Sequence, residues 1–268
     1  MRFFVGLLVL SLGIIWPSLA DASCGLDECP SDWVDGRDST TTLTSMTRYT
    51  GVADGFYIEE FVGLRRALPW NLRAGFALPV LHVEQAGSSY SGLGNLVAVL
   101  DYVPFAKSAR GYALGIQAEL PTASAPQLGD GHMVALPYAR GWYRSKSWDV
   151  RVQLGWGYTL EGGDHHHHHH HGDSGSHDES EAVSWVNPHS DSELLSRGSF
   201  GFMVYSNTTL RAGFDAVVEL GSGDQLFQGT FGAEYQGQQL TIGVVGEVPV
   251  TKLRRHDNRA RLTVGWRL

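Results

Sequence analysis

From residue 41 onward, apolar and polar side chains alternate in runs of about ten residues, each bounded by a turn-rich or polar stretch. The last run is the clearest. Ala260, Leu262, Val264, Trp266 and Leu268 alternate with Arg259, Arg261, Thr263, Gly265 and Arg267. Successive strand side chains point to opposite faces, so one wall is oily and the other cationic. The same split recurs in Leu210, Ala212, Phe214, Ala216, Val218 and Leu220 against Arg211, Gly213, Asp215, Val217 and Glu219, and in Val150, Val152, Leu154, Trp156 and Tyr158 against Arg151, Gln153, Gly155 and Gly157. This is the pattern of an all-β, transmembrane, antiparallel up-and-down β-barrel. A soluble sandwich alternates too, so the ends of the chain and the loop lengths have to separate the two.

The pattern predicts twelve strands, at 41–50, 55–66, 69–83, 93–104, 109–121, 132–143, 147–159, 196–206, 208–220, 225–235, 238–250 and 257–268. The first run is Thr-rich and also suits coil, and ten strands is the alternative count. Connections alternate in length. Short links at 67–68, 105–108, 144–146, 207 and 236–237 interleave with longer ones at 84–92, 122–131, 160–195, 221–224 and 251–256. Barrels of the outer membrane turn tightly on the periplasmic side and carry long loops outside, so the long set is expected to be external. Trp70, Trp142, Tyr143, Trp148, Trp156, Tyr158, Tyr205, Tyr235 and Trp266 lie near strand ends, where interfacial aromatic girdles form.

Met1 to Ala20 reads as a secretory leader, with Arg2, an apolar stretch from Phe3 to Trp16, and Ser18-Leu19-Ala20 as a cleavage site. Domains are therefore expected as residues 1–20 signal peptide, 21–40 periplasmic segment, and 41–268 barrel with an external loop at 161–194. No later run approaches the roughly 18 apolar residues of a membrane helix. The full-chain net charge of −8 becomes −9 without Arg2, which argues against nucleic acid as a partner. The expected partners are outer-membrane lipid, the machinery that inserts barrels, and a small solute. Cys24 and Cys29 sit together in an exported segment, where an oxidising compartment favours a local disulfide.

Ser91-Gly92-Leu93-Gly94-Asn95-Leu96, then Glu119-Leu120-Pro121-Thr122 and Gly129-Asp130-Gly131-His132, resemble the outer-membrane family named for the MetA pathway of phenol degradation. The layout matches over roughly residues 55 to 268. That family usually has Asp where Asn95 stands and often Gly at Ala123, and outer-membrane barrels commonly end in Phe rather than Leu268. The resemblance implies a barrel in the outer membrane with a role in small-molecule passage.

Two features carry candidate chemistry. Asp164, His165, His166, His167, His168, His169, His170, His171, Asp173, His177, Asp178 and Glu179 crowd into one loop, with His189 nearby. No Lys or Arg occurs from Val152 through Ser196, where eight acids do. Neutral imidazoles beside carboxylates bind Zn²⁺, Ni²⁺ or Cu²⁺, and lose them as pH falls through about 6.5. A low-complexity tract selects poorly among metals, and a tolerated repeat or an inserted tag would read the same.

The second feature is the inner wall, for which the pattern nominates Arg65, Arg73, Asp101, Gln117, Glu119, Arg151, Gln153, Arg211, Asp215, Glu219, Glu234, Glu247, Arg261 and Arg267. Paired across the lumen, these would plug the barrel; in opposed rows they would line a water-filled path. No enzyme is expected. His82 ends the outward row Leu72, Ala74, Phe76, Leu78 and Val80, but Glu84 rather than Ser stands two residues on, and the pattern places no nucleophilic serine. The predicted function is thus a channel for small solutes with a metal-binding external loop. The alternatives are a non-transporting surface barrel that buffers or senses metal and, third, a rim lipid hydrolase.

Overall fold

The structure is a computed structural model that describes residues 41–52, 55–105, 109–129, 131–160, 191–252 and 256–268. The leader, Cys24, Cys29, and the loop from Glu161 to Ser190 with its histidines lie outside the described residues.

The strands are β1 (Thr41–Val52), β2 (Gly55–Ala67), β3 (Leu72–Gln85), β4 (Ser88–Leu93), β5 (Leu96–Tyr102), β6 (Arg110–Leu120) and β7 (Met133–Arg144), then β8 (Trp148–Leu160), β9 (Ser192–Tyr205), β10 (Thr208–Glu219), β11 (Gln225–Gln236), β12 (Leu240–Pro249) and β13 (Asn258–Arg267). Every pairing is with a sequence neighbour and antiparallel, except that β3 pairs β4 above and β5 below, and β1 pairs β13. This last pairing runs from Thr42 opposite Arg267 to Gly51 opposite Asn258. It closes the sheet into a twelve-strand barrel, with β4 and β5 sharing one stave. Closure leaves no sheet edge along the wall except at β4, whose far side pairs with no strand among the described residues. The Thr-rich first run is a full strand bonded on both sides, which excludes the ten-strand count.

Two connections differ from expectation. Residues 84–92 are not a loop, because β3 and β4 form a hairpin through Ala86-Gly87, both at positive φ (46° and 82°). Two left-handed residues twist a two-residue turn in the sense the strands need. Alanine rarely adopts that conformation, so the turn carries no Asn-Gly signal. At the other site, β9 begins at Ser192, so the last residues of the predicted 161–194 loop belong to the sheet.

The outward rows carry exposed Phe76, Val80, Leu100, Leu114, Leu154, Phe200, Leu210, Phe231 and Val244. An apolar surface this continuous around a closed wall is what a lipid environment selects. The interior is not uniformly polar. Met46, Phe61, Ala77, Val97 and Val99 form one buried cluster inside the barrel; Val103, Ala113 and Trp142 form a second at the short-turn end; Tyr57, Leu81, Val83 and Leu128 form a third at the long-loop end. Trp142 therefore faces the core rather than the girdle, because its alternation phase is that of Tyr138 and Arg140. The other girdle aromatics sit on outward rows or at the ends, as with Tyr143 and Trp148, whose tilted rings lie 5.2 Å apart.

Candidate functional site

The inward rows bring charged side chains together at fixed heights. Near the short turns, Asp101 on β5 is fully buried and accepts from Arg65 on β2, from the Tyr138 hydroxyl, and from Arg140 Nη2 at 2.7 Å, the last two on β7. A second group surrounds Asp149 on β8. Arg211 on β10 donates to both of its oxygens, at 2.7 and 3.0 Å, and Arg151 Nε lies 3.2 Å away. Glu234 on β11 sits 3.6 Å from Arg151 and 3.5 Å from Arg211. A bidentate guanidinium–carboxylate pair fixes orientation as well as charge.

The Asp101 links and the Asp149–Arg211 pair each jump over an intervening strand, and glycine makes the jump possible. Gly115 on β6 stands opposite both Asp101 and Tyr138, and a Cβ there would come within 2.6 Å of Asp101 Oδ1 and the Tyr138 hydroxyl. Gly201 on β9 stands between Asp149 and Arg211 in the same way, with Asp149 Oδ2 at 2.9 Å and Arg211 Nη1 at 3.0 Å from a Cβ there. Gly75 does the same for Arg65, whose Cγ would lie at 3.1 Å. Missing side chains are the openings through which the ion pairs form.

Toward the long loops the pairs are between direct neighbours. Arg48 on β1 stands opposite Glu59 on β2, bonds it, and lies over the Phe61 ring at 5.2 Å. Arg197 Nε donates to Asp215 Oδ1 at 2.8 Å across β9–β10, and Arg261 reaches Glu247 at 3.3 Å across β12–β13. Among the described inward residues, the short-turn half holds Arg65, Arg73, Arg140, Arg144, Arg151, Arg211 and Arg267 against Asp101, Asp149 and Glu234. The other half holds Glu59, Glu119, Glu193, Asp215, Glu219 and Glu247 against Arg48, Arg197, Arg259 and Arg261. The charge asymmetry thus runs along the barrel axis, not between opposed walls.

Accessibility divides the interior a second way. Arg48, Arg259 and Arg151 are 0, 1 and 2% exposed, whereas Arg197, Arg211 and Arg261 on β9, β10 and β13 keep 21, 10 and 11%. Thr230 and Val245 on the same wall are half-buried, beside Gly201, Gly213, Gly232 and Gly243. Burial is not confined to one side, since Arg259, Glu247, Glu234 and Glu193 on β9–β13 are buried too.

At the long-loop mouth the two segments that carried the family resemblance meet. Leu93 N–H donates to Ser124 Oγ at 2.9 Å, Ser124 N–H to Leu93 O at 2.8 Å, and Leu96 N–H to Thr122 Oγ1 at 2.8 Å. Asn95 donates to Glu119 at 2.9 Å and accepts from Ala123 N–H at 3.2 Å. Gly129 packs where a Cβ would strike Ala123 and Asn95, both at 2.7 Å. This lattice folds the connection after β6 inward, so that a 3₁₀ turn at Pro126–Leu128 sets Leu128 among Tyr57, Leu81 and Val83.

All the pattern-nominated lumen residues fall on inward rows. Glu119, Arg151, Asp215, Glu234 and Glu247 are buried, Arg211 and Arg261 lie at the open wall, and Arg73 stands opposite Asp101. Glu219 and Arg267 sit at the rims, bonded to Ser222 and to the Gln238 carbonyl. Sequence reasoning missed Arg48, Glu59, Tyr138, Arg140 and Asp149, which the alternation phase of their strands would have found. It also missed a partner for His82: Ser91 Oγ lies 2.7 Å from His82 Nδ1, and Glu84 Oε1 3.4 Å from Nε2. Among the described residues, no three metal-ligating side chains cluster.

No protein-family profile and no curated protein matches the chain. Solved structures do. An outer-membrane channel from Pseudomonas putida F1 superposes with a TM-score of 0.65 at 11% identity, covering 92% of this chain and 100% of that one. The NanC porin gives 0.53 at 9% identity, covering 84% and 100%. The translocator domain of the autotransporter NalP from Neisseria meningitidis gives 0.51 at 13%, covering 89% and 92%. At such identities the likeness is one of fold, and the fold shared is a closed antiparallel β-barrel.

Proposed function

We propose that this chain is an outer-membrane channel for small solutes whose external histidine- and acid-rich loop gathers divalent transition metal at the mouth. The apolar outer wall and the closed sheet support membrane residence, and a leader at residues 1–20 would deliver the chain there. The observation that carries the channel reading is the unequal accessibility of the inward arginines. Arg48, Arg151 and Arg259 are fully buried, while Arg197, Arg211 and Arg261 keep accessible surface beside Gly201, Gly213, Gly232 and Gly243. A narrow path with arginines on its side favours small anions or zwitterions. Structures of similar fold include proteins named as an outer-membrane channel and a porin, in keeping with this reading. For the loop, His165 to His171 with His177, Asp164, Asp173, Asp178 and Glu179 would supply the ligands for Zn²⁺, Ni²⁺ or Cu²⁺.

Single-channel recording in a planar bilayer, with and without micromolar Zn²⁺, tests both parts beside a variant lacking Gly163 to His177. The proposal expects discrete steps that Zn²⁺ alters only when the loop is present. A well-folded but silent barrel would favour the second reading, a non-transporting surface barrel that buffers metal. The depth at which Arg48, Arg151 and Arg259 are buried is the observation on that side.

A further inference from the structure

The lumen does not use every reactive group in this barrel. At the long-loop rim, on the outer face, the β3–β4 hairpin sets His82 directly opposite Ser91, with Glu84 two residues further along the outward row of β3. Ser91 Oγ is 2.7 Å from His82 Nδ1 and Glu84 Oε1 is 3.4 Å from His82 Nε2. A hydroxyl on one imidazole nitrogen and a carboxylate on the other is the relation that makes a serine nucleophilic. We propose that Ser91, His82 and Glu84 form an acyl-ester hydrolase site that faces the membrane, with an acyl ester of a membrane lipid as substrate.

The register explains the contact. Leu93 directs its N–H and C=O to Ser124, away from β3, and Ser91, two residues earlier on the same strand, directs its own the same way. Ser91 and His82 are therefore a non-hydrogen-bonded pair, whose Cα atoms approach to about 4.5 Å and whose side chains stand closest. The Ser91 N–H points to the side of β4 where no strand pairs among the described residues, which places a backbone donor beside the nucleophile for the oxyanion. On the opposite flank, the Phe56 ring packs 6.4 Å from the imidazole and is itself stacked on Tyr49 at 5.6 Å. The ring walls off that side.

The height is that of an ester bond. The outward row from Leu72 to Val80 advances eight residues, about 26 Å along the strand and about 20 Å in height at a tilt of ~40°. His82 comes next, at the upper border of an apolar band ~25 Å tall. Exposed Val80 and Leu93 lie opposite one another just below His82 and Ser91. An acyl chain lying against them brings its carbonyl to Ser91.

The steps balance without a further reagent. Ser91 Oγ attacks the ester carbonyl carbon and its proton passes to His82 Nδ1, while Nε2–H donates to Glu84. Collapse of the tetrahedral intermediate breaks the ester C–O bond, and His82 returns the proton to the leaving alkoxide. Water then gives a proton to His82 and attacks acyl-Ser91; the acyl C–O bond to Ser91 breaks, His82 returns the proton to Ser91 Oγ, and the fatty acid is released. Ser91 and His82 are catalytic; Glu84 is a positioning residue that holds the imidazole tautomer.

The test uses the full protein purified in detergent, a fluorophosphonate probe, and mixed micelles of either phosphatidylethanolamine or an acylated glycolipid. The expected result is covalent labelling of the wild type, none of S91A, and fatty-acid release that falls about 10²–10⁴-fold in H82N. Release from one lipid and not the other identifies which ester is the substrate. E84Q lowers kcat with KM unchanged, and Glu84→Asp restores part of it, a split that a merely structural contact would not produce. Heat-dependent gel migration and channel conductance, which owe nothing to this hairpin, report that each variant folds. Labelling that persists in S91A, or a folded wild type that neither labels nor releases fatty acid from either lipid, overturns the assignment.

Discussion

Asp101→Asn puts the lumen network to a quantitative test. Asp101 is fully buried and serves two guanidinium groups and a phenol at once: Arg65, Arg140 and Tyr138. The two arginines are themselves buried, at 6 and 3% exposure, so solvent does little to screen the change. Removing one partner of a buried ion pair costs about 3–5 kcal/mol, because a charge is left in a medium that cannot solvate it. Asparagine keeps the shape and one acceptor, which favours the low end; alanine keeps neither and favours the high end. We expect about 3 kcal/mol for Asp101→Asn, a shift of more than a hundredfold in the folding equilibrium. Urea unfolding of the barrel in lipid vesicles, followed by tryptophan fluorescence, measures it. Arg140→Gln closes a double-mutant cycle in which the coupling should be ~0.5–3 kcal/mol. A loss under about 0.5 kcal/mol for Asp101→Asn, or additivity of the pair within ~0.3 kcal/mol, would show that lumen water and not Asp101 balances these arginines.

Three further outcomes follow from the same geometry. Gly201→Val forces a side chain between Asp149, Thr209 and Arg211, whose nearest atoms lie 2.9 to 3.0 Å from a Cβ, and should cost ~1–3 kcal/mol in the same unfolding assay. Gly221, which has nothing within 4 Å, is the matched control, and an equal loss from Gly221→Val would refute the window argument. Arg197→Gln removes the most accessible of the paired lumen arginines, so under a salt gradient the reversal potential should move toward cation preference; no movement would put the path elsewhere. Zinc bound to the wild type by calorimetry should weaken as pH falls from 7.5 to 5.5, since imidazole binds metal only when neutral and titrates near 6.5. Deleting Gly163 to His177 should remove that pH-dependent component, and its survival would place the ligands outside the histidine loop.

Period-two alternation was enough to read the outward rows, the closure and the lumen-facing phase of Arg151, Arg211, Asp215 and Glu234. It failed where both faces of a strand are apolar. Tyr57, Phe61, Leu81 and Val83 face inward, yet nothing in their hydrophobicity distinguishes them from lipid-facing neighbours such as Val62 and Val80. The inward apolar clusters on β1, β2, β3 and β5 were hidden for that reason. Contacts set by register were hidden too. Ser91 and His82 are nine residues apart and meet only because Ala86 takes a left-handed conformation, which its identity does not advertise. Tyr138, Arg140 and Asp101 likewise meet only through the gap at Gly115.

The glycines supply the link between sequence and lumen. In most strands an inward glycine weakens packing, but here Gly75, Gly115 and Gly201 each stand opposite a charged residue whose partner lies one strand further on. A Cβ at any of them would hold the pair apart, and charges of this size are not left buried without a partner. The position of the ion pairs is therefore written in where side chains are missing. Other inward glycines serve close backbone approach instead: a Cβ at Gly213 would lie 2.3 Å from Gly198 O, and one at Gly232 2.3 Å from Val244 O. Gly213 and Gly232 lie beside Arg211 on the β9–β13 wall, where the arginines stay partly accessible. Arg211 belongs both to the Asp149 network and to the accessible arginines of the proposed path, so Gly201→Val, which perturbs the network, should also alter that path.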